Sequence, residues 1–169
     1  DWRDLLAPVT QAREGLDALH ARLEALLAWP GAIRPAATWP AEEHDLLVAS
    51  VPDGDGLKLA DGRRVRYIGL DAPEMGGFGQ PAEPCAGAAK TFNAQLVVGR
   101  RVRLLRDTTD ADRHGRLLRY VFAGKLFVNA EIVRAGWAIT LTVWPDERHA
   151  AEIERLEQDA RRQRRGMWT

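Results

Sequence analysis

Charged residues stand within and directly after an apolar run in the middle of this chain. The run from Val65 to Leu70 is apolar except for Arg66 and Gly69, and Asp71 and Glu74 follow it. Burying ionised groups costs free energy unless they are paired or bind a metal. The stretch therefore indicates either a salt-bridged strand end, for example with an Arg66–Glu74 ion pair, or an active site.

Two further polar segments lie on either side of this stretch. Upstream, Asp53 and Asp55 flank a glycine, a sequence that is also common in simple turns. Downstream, the segment 112–116 places Arg116 at the start of an apolar run, where an arginine is often a solvated edge residue. Carboxylate oxygens suit Ca²⁺, and a guanidinium can donate two parallel hydrogen bonds to a phosphate. Together the three segments supply groups that phosphodiester hydrolysis requires.

The order and spacing of these segments resemble the staphylococcal-nuclease-like (thermonuclease) family. The family pattern is a D-G-D turn, then a strand ending in R-x-x-x-x-D-x-P-E, then D-x-Y-G-R-x-L. This chain carries the corresponding residues at 53–55, 66–74 and 112–118, with His114 in place of the tyrosine. The resemblance runs from about residue 43 to residue 169.

The resemblance implies an α+β fold, a five-stranded OB-type β-barrel with three helices. Period and composition predict strands at 46–51, 57–59, 64–70, 101–105 and 117–122. They predict helices at 86–98, 129–135 and 147–165, with Asn129 and Asp146 as the caps of the last two. The pattern indicates the elements, whereas closure of the barrel rests on the resemblance.

The resemblance also implies catalytic and metal-binding roles. Glu74 takes the position of the general base, and Arg66 and Arg116 those of the arginines that bind the phosphate. The implied ligands of Ca²⁺ are Asp55, Asp71 and the backbone carbonyl of Ala72. Strand alternation alone puts Arg66 and Asp71 on opposite faces, so we expect the backbone to turn at 71–73.

Two further residues are candidates for substrate contact. His114 could reach a phosphate oxygen, or serve only as a turn residue. Trp144 could stack on a base, or form a partly exposed wall. Thr142 and Trp144 stand near the positions where the family has tyrosines that touch the nucleotide.

The implied activity is that of a Ca²⁺-dependent nuclease. It would hydrolyse DNA and RNA with low sequence specificity, prefer single strands and leave 3′-phosphate ends. The alternative is a non-catalytic OB-type module that binds nucleic acid or a protein. The chain has 24 basic and 24 acidic residues, and this balance mildly favours the alternative because affinity for phosphates usually needs a basic surface. The resemblance favours a secreted or periplasmic protein, and the sequence itself does not decide the compartment.

Residues 1–29 are predicted to form an amphipathic helix, and a proline-rich connector at 30–41 joins it to the nuclease-like domain at 42–169. The leucine stripe of the helix must be covered. It spans about three heptads, which is short for a coiled coil, so a monomer is favoured over a dimer formed through this helix. No apolar run reaches the roughly 18 residues of a membrane span. The single cysteine, Cys85, excludes an intramolecular disulfide.

Overall fold

The computed structural model describes residues 40–77 and 79–169. The predicted N-terminal helix at 1–29 and nearly all of the connector at 30–41 lie outside these residues, and they stay predictions, as does the domain boundary. The strands, in chain order, are β1 (Glu42–Ser50), β2 (Gly56–Leu59), β3 (Arg64–Tyr67), β4 (Gly69–Asp71), β5 (Arg101–Leu105), β6 (Leu117–Ala123), β7 (Leu126–Phe127) and β8 (Ile139–Leu141).

The helices are α1 (Ala86–Val97), α2 (Val128–Arg134) and α3 (Ala150–Arg162), followed by a 3₁₀ turn (Gly166–Trp168). α1 lies between β4 and β5 in the chain, and the other two follow the barrel strands. No helix among the described residues is long and apolar enough to cross a bilayer.

Five of the strands close into a barrel. Neighbours in the order β3, β2, β1, β5 and β6 are antiparallel, and β3 also pairs in parallel with β6, with Arg66 opposite Leu118. β7 adds to β6, while β4 and β8 form a separate two-stranded sheet. The predicted α+β, OB-type barrel with three helices is confirmed.

The hairpin of β2 and β3 sorts its residues strictly by face. Leu57 and Val65 are opposite each other and buried in the barrel core. Lys58, Arg64 and Arg66 project from the other face, as strand alternation requires. The hairpin therefore places a basic row outside the barrel while its apolar residues fill the interior.

The prediction of one strand over 64–70 is wrong, because the chain turns between β3 and β4. Gly69 has φ +87°, a left-handed conformation that glycine adopts without steric cost. Asn129 fixes this turn: its Nδ2 donates to the Ile68 carbonyl (2.9 Å), and its Oδ1 accepts the Val121 N–H (2.9 Å). The buried Asn129 side chain thus connects β6 to the turn by hydrogen bonds and does not cap a helix. α2 begins one residue earlier, at Val128.

Asp146 is not a helix cap either. α3 begins only at Ala150, and Asp146 is buried with its Oδ1 accepting the N–H groups of Thr108 (2.9 Å) and Thr109 (2.8 Å). It therefore holds the loop that leads from β5 towards Arg116.

A fully buried arginine anchors the same loop. Arg119 donates to the carbonyls of Asp110 and Leu118 (both 2.8 Å) and to the Asp110 carboxylate (2.6 Å). We expect Arg119→Met to lower the free energy of unfolding by about 3 kcal/mol, because it removes a fully buried guanidinium together with its ion pair and its two hydrogen bonds to carbonyls. Chemical denaturation measures this loss. Arg155→Met, on the exposed face of α3, is the matched control and should cost less than about 0.5 kcal/mol. Equal unfolding midpoints for the two variants would contradict the prediction.

Candidate active site

The guanidinium of Arg66 lies between two of the predicted metal ligands. It forms ion pairs with the buried Asp55 and with Asp71, whose side chain is 41% exposed. The alternative, an ion pair between Arg66 and Glu74, is wrong. Nη1 of Arg66 pairs with Asp55, and Nη2 pairs with Asp71. Arg66 therefore gathers both carboxylates into one cluster.

The turn that brings Arg66 and Asp71 together is not where the sequence placed it. We expected it at 71–73, and it lies at Ile68 and Gly69, between β3 and β4. This turn breaks the alternation of side chains along the strand, so that Arg66 and Asp71, five positions apart, form a hydrogen bond. Asp71 remains in strand geometry, opposite Ile139 of β8.

Asn93 of α1 holds the turn that carries Asp53 and Asp55. Its Nδ2 donates to the carbonyls of Asp53 (3.1 Å) and Gly56 (3.0 Å), and its Oδ1 accepts the hydroxyl of Tyr67 (2.9 Å). Sequence reasoning missed Asn93. The available signal was a single polar residue on the face of α1 that also carries Ala89 and Val97.

The same turn packs directly against Ala72. A Cβ added at Gly54 would lie 2.5 Å from the Cβ of Ala72, so only glycine fits there without movement. Asp55 Oδ2 accepts the Ala72 N–H (2.9 Å). The predicted ligand residues Asp55, Asp71 and Ala72 are therefore brought together by hydrogen bonds, ion pairs and close packing.

Asp53 lies in the field of both arginines of the site. Burial raises its pKa above the usual value, and the charges of Arg66, Arg116 and Lys90 offset only part of this effect. Its Oδ1 accepts the N–H of Asp55 (3.3 Å). Asp53 thus supports the turn next to the predicted ligand Asp55.

Glu74 is exposed and has its backbone fixed on both sides by Glu83. Its N–H donates to Glu83 Oε2 (2.9 Å), and its carbonyl accepts the Glu83 N–H (2.9 Å). Among the described residues, the Glu74 carboxylate takes part in no hydrogen bond or ion pair. Its backbone is therefore fixed, while its carboxylate has no partner among the described residues.

Arg116 is positioned by Asp112. Its Nε donates to Asp112 Oδ2 (2.7 Å), while Asp112 Oδ1 accepts the N–H groups of His114 (2.9 Å) and Arg116 (3.0 Å). Burial raises the pKa of Asp112, but these hydrogen bonds outweigh it and the pKa lies below the usual value. Within the described part of the chain, the two Nη groups of Arg116 donate to no acceptor, which leaves one edge of its fork for a ligand.

His114 stands at the tip of this turn and is exposed. Its carbonyl oxygen accepts a hydrogen bond from Nη2 of Arg64 (2.8 Å), and its ring nitrogen Nε2 lies 3.1 Å from Nε of Arg113. These contacts describe a turn residue, and its role towards a substrate stays a prediction.

A cavity of about 430 Å³ opens beside the two arginines. Its walls include Arg66 and Arg116, the aliphatic side chains of Leu118 and Leu141, and Trp144, which is 80% exposed. Three of the predicted residues, Arg66, Arg116 and Trp144, therefore line one cavity. Asp71 and Ala72 line a second, smaller cavity, whereas Asp55, Glu74 and His114 line neither of the two.

Asp55 and Asp71 supply carboxylate oxygens, the kind of ligand that suits a hard divalent cation. The described residues contain no group of three or more His, Cys, Asp and Glu side chains that could hold a metal. The predicted set needs only two carboxylates and one backbone carbonyl, an all-oxygen set of the kind that Ca²⁺ binds together with water. One guanidinium bridges Asp55 and Asp71, so their carboxylates are close together, and each keeps one oxygen that does not pair with Arg66.

Known proteins resemble this chain along most of its length. The family described as staphylococcal nuclease homologue matches residues 64–169. A thermonuclease of Staphylococcus hyicus is 30% identical over 142 residues, which cover 82% of this chain and 84% of that protein. A thermonuclease of Staphylococcus intermedius is 33% identical over 125 residues, covering 72% of this chain and 74% of that protein.

A fungal protein shares a shorter region. The probable endonuclease LCL3 of Schizophyllum commune is 34% identical over 124 residues, covering 62% of this chain and 39% of that protein. The family match includes the strands that close the barrel and the site from Arg66 onwards. The chain therefore belongs to the staphylococcal nuclease family.

Proposed function

We propose that this chain is a Ca²⁺-dependent nuclease that hydrolyses DNA and RNA, prefers single strands and leaves 3′-phosphate ends. The observation that carries the proposal is the junction of Arg66 and Arg116 at one cavity, with Asp55 and Asp71 gathered around Arg66. Two guanidinium groups next to a pair of carboxylates are suited to holding a phosphodiester beside a cation.

In this proposal, the two arginines bind the non-bridging oxygens of the scissile phosphate. Asp112 holds Nε of Arg116, so that the Nη edge is presented without reorganisation. Asp55 and Asp71 orient Arg66 and, with the Ala72 carbonyl, would hold Ca²⁺. When bound, Ca²⁺ supplies positive charge that stabilises the negative charge developing on the phosphate.

Glu74 acts as the general base. Its carboxylate takes a proton from water, the water oxygen forms a bond to phosphorus, and the bond from phosphorus to the 5′ oxygen breaks. The products are a 3′-phosphate and a 5′-hydroxyl, whose oxygen takes its proton from solvent. The Glu74 carboxylate has no partner among the described residues, which supports this role because the base must be free to meet water.

Low sequence specificity is supported by the apolar part of the cavity wall. Leu118, Leu141 and Val143 offer no hydrogen bonds to base edges, and Trp144 at the rim can stack on any base. Stacking requires an unpaired base, so a duplex must first open, at a cost of a few kcal/mol.

The test compares matched 5′-labelled DNA strands, one single-stranded and the other in a stable GC-rich duplex, both in Ca²⁺. We expect cleavage of the single strand to be at least about tenfold faster, because unpairing adds to the barrier for the duplex. Treatment of the products with a 3′-phosphatase should change their mobility. Binding of the single strand without any product would identify the chain instead as a non-catalytic binding module, and equal rates would contradict the strand preference.

A further inference from the structure

Two cations on the outer face of the β2–β3 hairpin continue the row that contains Arg66. Lys58 and Arg64 are directly opposite each other, and Arg64 stands two residues before Arg66 on β3. Side chains two residues apart on a strand share a face and are separated by about 7 Å. We call Lys58 and Arg64 the outer basic pair.

The outer basic pair lies next to the cavity without lining it. Arg64 donates to the carbonyl of His114, which stands between the cavity-lining residues Asp112 and Arg116. Lys58 is opposite Arg64 on β2. A strand of nucleic acid that has one phosphate at Arg66 and continues past the cavity along the row on β3 would meet Arg64 and Lys58.

These two cations differ from the other cations of the barrel wall because neither has a carboxylate partner in the described part of the chain. Neighbouring barrel cations are neutralised: the pairs are Arg63–Glu43 (2.7 Å), Arg101–Asp45 (3.2 Å) and Arg103–Glu42 (2.7 Å). Lys58 and Arg64 are both exposed, and the bond that Arg64 does make goes to a backbone carbonyl, that of His114. A chain with no net charge thus keeps two uncompensated positive charges beside its candidate site.

We propose that Lys58 and Arg64 bind the phosphate backbone of a single-stranded nucleic acid beyond the scissile phosphate. The proposal rests on the proposed function for the direction of the strand and adds a binding segment to that site. Cations that contact phosphates contribute affinity without reading sequence, and they release counterions on binding. The outer basic pair would therefore favour strands several nucleotides long over dinucleotides.

The test measures binding of a fluorescent 16-mer oligothymidylate and of a thymidine dinucleotide. All variants carry Glu74→Gln and are kept in Ca²⁺, so that the strand stays intact. For Lys58→Gln we expect the Kd of the 16-mer to rise about fivefold at 0.1 M salt, and for Lys58→Gln/Arg64→Gln about 25-fold. The slope of log Kd against log salt should fall by about 0.7 per cation removed. The affinity for the dinucleotide should change less than about twofold, because it is too short to reach the pair.

Lys125→Gln/Arg164→Gln is the matched control. Both residues are exposed cations without a carboxylate partner in the described residues, and they lie in the β6–β7 turn and after α3. This control should leave the Kd and its salt slope unchanged. The double variant also removes the hydrogen bond from Arg64 to the His114 carbonyl. The single variant Lys58→Gln keeps this bond and therefore tests the loss of charge alone.

Several outcomes would overturn the proposal. These are no measurable binding of the 16-mer, an unchanged Kd for Lys58→Gln, or equal losses in the control and the double variant. Weaker binding of polyglutamate by the double variant, with the 16-mer unaffected, would assign the pair to an acidic protein instead. Binding is measured without cleavage. An inactive wild type would therefore contradict the proposed function, but the binding data would still test the role of Lys58 and Arg64.

Discussion

Addition of excess EGTA is expected to abolish hydrolysis of single-stranded DNA, and excess Ca²⁺ to restore it. Asp55 and Asp71 carry two negative charges, and Arg66 compensates one of them. Glu74 adds a further exposed carboxylate nearby in the chain. Without a cation, an approaching phosphate meets net negative charge on this side of the site. Loss of several kcal/mol of transition-state stabilisation corresponds to a rate decrease of about 10³-fold or more.

The measurement is the initial rate of release of labelled product at a series of free Ca²⁺ concentrations. Mg²⁺ should restore less activity, because it demands tighter octahedral geometry than two carboxylates, a carbonyl and water readily provide. Asp71→Asn should shift the half-saturating Ca²⁺ concentration upwards, since it removes the charge of a proposed ligand. Circular dichroism in EGTA checks that the barrel stays folded. Full activity in excess chelator would contradict the metal assignment.

Glu74→Gln is expected to lower kcat by about 10²–10⁴-fold, the usual effect of losing a general base. Glutamine keeps the size of the side chain but cannot take a proton from water. KM should change little, because Arg66 and Arg116, and not Glu74, are assigned to the phosphate. The melting temperature should also stay the same, since the Glu74 carboxylate makes no bond that the described residues would lose.

Glu154→Gln is the matched control for this prediction. Glu154 is exposed on α3, and its carboxylate has no partner among the described residues, so the same chemical change is made away from the site. Its kcat and melting temperature should equal those of the wild type. A Glu74→Gln variant within twofold of the wild type would remove Glu74 from the mechanism and leave the base unassigned.

The sequence was sufficient for the features that depend on neighbouring residues. Alternation of apolar and polar residues placed β2, β5 and β6 to within one residue, and composition and the glycine at 99 placed α1. The spacing of residues 53–55, 66–74 and 112–118 selected the candidate groups of the site. Such patterns are readable because strand and helix periods are local properties of the chain.

Contacts between segments that are distant in the chain could not be predicted from local sequence patterns. Asn129 and Asp146 both stand where a helix is predicted to start, and the local preference of these residue types is to cap one. In the folded chain, Asn129 meets Ile68 and Asp146 meets Thr108. Burial decides their role, because a buried amide or carboxylate must find hydrogen-bond partners wherever the fold provides them.

Tertiary structure also decided how the site is assembled. The residue types and their order along the chain are in the sequence, but strand alternation placed Arg66 and Asp71 on opposite faces. They meet because the chain turns at Gly69, and Asn129, which lies 61 residues from Ile68, holds that turn. Asn93 likewise holds the turn with Asp55 from a helix about 40 residues away. The sequence alone thus determined the chemistry available to this protein, whereas long-range hydrogen bonds, which have no local signature, decided which groups come together.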